Sequence, residues 1–163
     1  MTDSNTATIA RAETYLSFAR LFLLEPGGET LAALQNDARF AEATPFDARA
    51  LRVEFTRLFT LNVFPYASVF LDAAAALGTE TTARVEAAYD RGGFEIQRDW
   101  PIGAPDHFGA ELAFVAHLLH ADREPEADRF LAAEVLPWAG IFLPAVEQNA
   151  QEPFYRVVAR AAR

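Results

Sequence analysis

The chain has 163 residues, a net charge of −9, and 52% hydrophobic against 23% charged residues, which suits one globular domain with a core of its own and excludes disorder over most of the length. With no cysteine, it cannot build a disulfide framework, a thiolate zinc site, a protein-ligated iron–sulfur cluster or a thiol nucleophile. The acidic balance disfavours a nucleic-acid partner, which needs a basic face, and would suit a basic peptide.

In chain order, almost every patterned segment has helical period. Residues 1–7 lack such a pattern and are expected to be disordered. The first helix, 9–24, places Ile9, Ala12, Leu16, Ala19 and Leu23 at three- and four-residue steps, and Pro26-Gly27-Gly28 ends it. Thr30 is expected to cap a second helix to Phe40, and Asp47 a third to Leu61. Gly78-Thr79 opens a fourth that runs to Tyr89 and stops at Gly92-Gly93, a C-cap rather than a nucleotide loop. Pro105-Asp106 starts the fifth, to Ala121. Pro125 opens a sixth, which Pro137 and Pro144 kink or divide, and a last helix follows Pro153. The expected fold class is all-α, a single bundle domain of six or seven helices.

Two connections, residues 62–72 and 93–104, are read as long non-helical loops, with Val69-Phe70-Leu71 as extended coil. Both carry aromatics and proline, and loops of this length inside a compact domain are often functional. The start of the chain lacks the basic and apolar regions of a secretory signal. The longest uncharged apolar stretch, residues 135–146, is too short to span a bilayer. A cytoplasmic protein without stable membrane insertion is expected.

Few residues offer chemistry. On the wheel of the fifth helix, Glu111 lies inside an apolar arc formed by Phe108, Leu112, Val115 and Leu119, and Glu54 repeats this in the third. A carboxylate there is costly unless bonded. Two readings stand: each holds backbone amides or an arginine, or one of them faces a groove. Asp106 either caps its own helix through the first-turn amides or forms, with His107, a polar lip where two loops meet a helix N-terminus. His117 and His120 point away from His107, to the side expected to face solvent with Ala110 and Ala113. The Glu-x-x-His and His-Glu-x-x-His spacings are absent, so no metal site is expected. Nothing identifies a base for Ser68, and no catalytic residue is assigned.

Taken together, Glu54-Phe55, Leu58-Phe59, Pro65-Tyr66-Ala67-Ser68-Val69-Phe70, Tyr89 with Gly93, Pro105-Asp106-His107-Phe108-Gly109-Ala110-Glu111-Leu112, Leu136-Pro137-Trp138 and Phe154-Tyr155 resemble the TorD/DmsD family of cytoplasmic molybdoenzyme chaperones, also called redox enzyme maturation proteins. The match runs in family order over roughly residues 8–160. The resemblance implies a non-enzymatic protein without a cofactor of its own. Such a protein binds the twin-arginine signal peptide and the apo-form of a molybdenum oxidoreductase subunit, assisting folding and cofactor insertion before export. It further implies peptide binding by Pro65, Tyr66 and Ser68 with Asp106 and His107, while Tyr89 and Glu111 shape the groove. The state would be a monomer or a domain-swapped dimer. The chain departs from the pattern at Tyr66, where many members carry tryptophan, and at Glu134, where many carry histidine. An apolar groove is expected from Phe64, Tyr66, Phe70, Phe94 and Trp100, with Asp72, Asp90, Glu95 and Asp106 as its carboxylate rim. If Asp106 and His107 touch peptide, their alanine variants should weaken binding and spare stability. The alternatives are an assembly factor for a nitrate-reductase-type catalytic subunit and a small helical metal-dependent hydrolase using His107, Glu111 and Asp106.

Overall fold

A computed structural model describes residues 2–163, and helices dominate it. Nine α-helices occur among the described residues: α1 (Thr2–Leu23), α2 (Gly28–Leu34), α3 (Ala48–Thr56), α4 (Ala67–Leu71), α5 (Glu80–Gly92), α6 (Phe108–His120), α7 (Glu124–Phe130), α8 (Leu136–Asn149) and α9 (Pro153–Ala161). No strand occurs among these residues, and one isolated antiparallel bridge joins Tyr66 and His107. The all-α expectation holds. The number of helices exceeds it because the sixth expected helix divides into α7 and α8 and because α4 forms in a connection read as coil.

Contacts group the chain into two compact units. The first holds the chain up to Leu23 with Tyr66–Trp138; the second holds Leu24–Pro65 with Ala139–Arg163, so the division falls inside α8.

In the first unit α6 is the centre. Phe108 to Leu119 are buried except His117, so the helix is enclosed on all sides rather than along one stripe. Ala110 and Ala113, expected to face solvent, are therefore inside. Against α6 pack α1, through Ala19, Phe22 and Leu23, and α7. Ile9, expected on the buried stripe of α1, is 49% exposed. The helix also begins at Thr2, before the expected Ile9, so residues 2–7 are helical; Met1 lies outside the described residues. The C-terminus of α5 has the expected glycine cap: Gly93 adopts φ +67°, in the left-handed region, and its amide bonds the Asp90 carbonyl.

In the second unit Asp47 caps α3 as expected, its carboxylate accepting from the Arg49 and Ala50 amides. Thr30 does not cap α2, which starts earlier behind Gly27; the remainder of the expected helix is a 3₁₀ segment, Ala38–Ala43, opened by the Asp37 carboxylate. A π segment, Arg57–Asn62, ends the third helix, and a second one, Leu131–Val135, separates α7 from α8 just ahead of Pro137. Phe154 and Tyr155 of α9 pack on Phe40 and Phe59.

The run from α7 to α8, Glu124–Asn149, is helical throughout and is the one segment among the described residues long and apolar enough to cross a membrane by length and composition. This exceeds the apolar stretch the sequence suggested. Its Phe130, Val135, Trp138, Phe142 and Val146 are buried in the protein.

Candidate functional site

The Pro65–Asp72 connection carries a helix, correcting the expectation of coil. Helix α4 starts because its first amides find acceptors elsewhere in the chain. The Ala67 amide donates to the Asp106 carbonyl at 2.9 Å, and the Ser68 amide donates to Asp106 Oδ2 at 2.8 Å. Asp106 Oδ1 accepts the Thr82 hydroxyl at 3.0 Å. Asp106 thus caps α4 and anchors α5, and does not cap α6. That role falls to His107, whose Nδ1 accepts the Gly109 amide at 3.1 Å.

Both residues are enclosed. Asp106 is 0% exposed and His107 5%. Burial pushes the His107 imidazole down to about 3, so it is neutral across the physiological range with its proton on Nε2. The tautomer follows from Nδ1 being an acceptor. Tyr66 bridges the His107 backbone, lies edge-on to its ring at 5.1 Å, and accepts the Gly103 amide on its hydroxyl at 2.8 Å. In this way residue 66 ties the loop before α6 to α4. Tyr66 itself is half-buried, and the Ser68 side chain is fully enclosed. Pro65 is buried and belongs to the other compact unit.

Tyr89 and Glu111 sit beneath this arrangement. The Tyr89 hydroxyl donates to the Pro105 carbonyl at 2.9 Å, which holds the loop leading into Asp106. Burial, with Glu111 and Asp106 nearby, pushes the Tyr89 phenol well up. Glu111 is fully buried and takes the Trp138 indole N–H on Oε2 at 3.1 Å. Burial pushes its carboxyl well above the usual range, with Asp106 and Glu134 adding to this against the pull of Trp138. The neutral form of Glu111 is therefore the favoured one well beyond the range in which an ordinary carboxyl ionises.

Glu54 bears the same sequence signature and is solved differently. It accepts from Arg57 at 2.6 and 2.9 Å and from the Gln151 amide at 2.6 Å. Burial alone would raise its carboxyl, but these donors outweigh it and hold it below the usual range. Glu54 is thus structural, holding an arginine and loop amides.

The expected rim is dispersed by the same logic. Asp72 accepts the Thr79 and Thr81 hydroxyls and the Thr81 amide, so it is spent on starting α5, while Asp106 is inside. Asp90 and Glu95 are exposed. Phe70 stacks on Trp138 at 5.6 Å, and Phe94 packs on Tyr89 and Phe114, so both serve the core more than a groove. Phe64 lies in the second unit, 45% exposed. His117, expected in solvent, packs against Phe94 and bonds the Gly92 carbonyl at 3.1 Å. No group of three or more metal-ligating side chains converges among the described residues.

Two pH predictions of opposite sign follow. His107 has a folded-state value below its unfolded one, so its share of stability is present above about pH 6.5 and is lost as pH falls toward 3, by a few kcal/mol in all. His107→Asn keeps an acceptor for the Gly109 amide without the titration, and its cost relative to the parent should shrink between pH 7 and pH 4. Glu111 has a raised value, so its share is complete below the unfolded value of about 4.5 and declines as pH rises. Glu111→Gln should lie within about 1 kcal/mol of the parent at pH 4.5 and gain on it by pH 8. Urea denaturation at each pH checks both; parallel stability curves for variant and parent would refute the assignments.

The chain matches the family model described as nitrate reductase delta subunit over residues 23–143. It is 31% identical to the chaperone protein TorD of Shewanella pealeana over 103 residues, covering 59% of this chain and 46% of that protein. It is 26% identical to the TorD of Actinobacillus succinogenes over 167 residues, covering 98% of this chain and 83% of that one. The chain therefore spans less than half of the first relative and most of the second. Its fold is similar to the crystal structure of an Archaeoglobus fulgidus protein assigned as a redox enzyme maturation protein, with a TM-score of 0.66, 21% identity and 93% coverage of both chains.

Proposed function

The chain belongs to the nitrate reductase delta subunit family, and from that premise we propose that it is a maturation chaperone for a molybdenum-dependent oxidoreductase. It works in the cytoplasm without inserting into the membrane. There it binds the twin-arginine signal peptide of the apo-subunit, delays export, and assists folding and cofactor insertion. The role is one of binding, not catalysis, and needs no resident cofactor. One observation carries the reading: Tyr66, Ser68, Asp106 and His107, far apart in sequence, are joined through one bridge and two backbone-held loops.

In this reading Asp106 and His107 position rather than touch. A carboxylate and an imidazole shut away from solvent cannot pair with a guanidinium on a leader, but they set the angle of α4 and of the Gly103 loop. Tyr66, half-buried, is the member of the set with surface to offer. The charge balance of −9 favours the basic leader.

Calorimetric titration with a twin-arginine leader and a Lys-Lys control tests this. Preference for the arginine leader is expected, because guanidinium forms bidentate pairs with carboxylates and ammonium does not. Equal or absent binding overturns it. Tyr66→Phe removes the acceptor of the Gly103 amide and should weaken the leader several-fold while costing about 1 kcal/mol of stability.

The family description favours a second reading, a chaperone for a nitrate-reductase-type catalytic subunit whose N-terminus is not an export signal. Pull-down from native cells separates the two by which molybdoenzyme is recovered.

A further inference from the structure

Within the first unit, α5, α6 and α7 enclose a cleft of about 280 Å³ that takes no part in the arrangement around Tyr66. Its floor is apolar. Phe114 and Phe130 meet there edge to face, 4.8 Å apart, and both are almost fully buried. Gly92 makes the floor possible, since a Cβ at that position would stand 2.3 Å from the Phe114 ring.

The polar groups at the mouth are unequally satisfied. Glu126 is paired with Arg123 at 2.7 Å, and Glu134 with Arg84 at 3.1 Å. The Gly92 carbonyl already accepts from His117 and Arg123. The acceptors are therefore taken. What remains are donors: Arg91 and Arg129, both exposed and both lining the cleft, whose guanidinium groups make no hydrogen bond or close ion pair among the described residues, although the Arg129 charge helps hold the Glu126 carboxyl low. A chain of net charge −9 thus carries, at one apolar hollow, two cations with no hydrogen-bonded partner among the described residues.

We propose that this cleft is a binding site for a carboxylate carried beside an apolar side chain. An aromatic or aliphatic group sits on Phe114 and Phe130, and the carboxylate is held by Arg91 and Arg129. The volume, just under the usual range of about 300–1,000 Å³ for ligand pockets, has room for one large side chain and not for a helix. The planar guanidinium forks match a carboxylate bidentately. The carboxylate comes either from a chain terminus or from an acidic side chain; both present the same group. This ligand has the charge opposite to a twin-arginine leader, so the site stands or falls apart from the proposed function.

The test uses the full chain with three probes: acetyl-phenylalanine, which ends in a carboxylate; acetyl-Phe-Asp-amide, which carries one on a side chain; and acetyl-phenylalaninamide, which has none. At least one of the first two should saturably shift the Ala88 and Ala133 methyl resonances, about fivefold more tightly than the neutral amide. Which of the two binds better identifies the source. The double variant Arg91→Gln, Arg129→Gln should lose this preference and keep its circular dichroism, since both side chains are exposed. Equal affinity for the neutral amide, a preference that survives in the double variant, shifts confined to other methyls, or no saturable binding would each overturn the proposal.

Discussion

Asp106→Ala is expected to cost about 2–4 kcal/mol of folding stability, because it strands buried donors that no solvent reaches. The Asp106 carboxylate is fully enclosed and accepts the Ser68 amide and the Thr82 hydroxyl. Alanine leaves both facing a hole. The Ala67 amide keeps its bond, because it goes to the Asp106 backbone carbonyl, so α4 loses half of its start rather than all of it. Asp106→Asn should cost less, about 1 kcal/mol: its amide oxygen can still serve Ser68, and the Thr82 hydroxyl can turn to accept from the new N–H. Urea denaturation at pH 7 gives both values, and hydrogen exchange at the Ser68 amide should speed up in the alanine variant ahead of the α6 amides. An alanine variant within 0.5 kcal/mol of the parent, on the order of an ordinary surface change, would mean that Asp106 is not the cap of α4.

This bears on how binding data at the site are read. A drop in leader affinity for Asp106→Ala would accompany a loss of stability and a loosened α4, so it reports positioning and not contact. Tyr66→Phe separates the two, since its ring stays in place against His107 while the tie to Gly103 is cut.

Local signals in the sequence were legible and non-local ones were not. Asp47, Gly93 and Pro153 act within one turn of themselves, and each marks its helix end correctly. Asp106 looks like another such cap, but it serves an amide 38 residues away, and no spacing rule reaches that far. For the same reason Val69-Phe70-Leu71, with its strand-like composition, reads as extended: its helix is imposed by a cap from another segment, which overrides propensity. Helix α6 shows a third limit. Its apolar arc is real, yet alanines fill the opposite side, and alanine tolerates burial and exposure alike, so the pattern could not reveal that the helix is enclosed all round. Glu54 and Glu111 carry one signature with two outcomes. An arginine three residues on gives Glu54 an ion pair, while Glu111 has only the Trp138 indole and its carboxyl is pushed up by burial. The pairing of Tyr66 with His107 came from the family resemblance; neither periodicity nor spacing implies it.

Gly109→Ala is expected to cost about 3 kcal/mol or more. A Cβ at this position would lie 2.6 Å from Leu23 Cγ and 2.8 Å from the Ala19 carbonyl oxygen. The leucine could swing aside; the carbonyl belongs to the backbone of α1, and moving it means shifting the helix off α6. Two further links share the position. The Gly109 amide is the donor that His107 Nδ1 accepts, and Phe22 packs edge-on to Phe108 at 4.9 Å, so a displaced α1 would disturb both the cap of α6 and the ring beside it. Gly140→Ala is the matched control. It adds the same methyl inside α8, where a Cβ would meet nothing within 4 Å, and helix propensity alone should make it neutral to stabilising by up to about 1 kcal/mol. The urea midpoint should therefore fall for Gly109→Ala and hold or rise for Gly140→Ala. If both rise, the close approach of α1 to the start of α6 is wrong, and with it the packing that holds His107 in place.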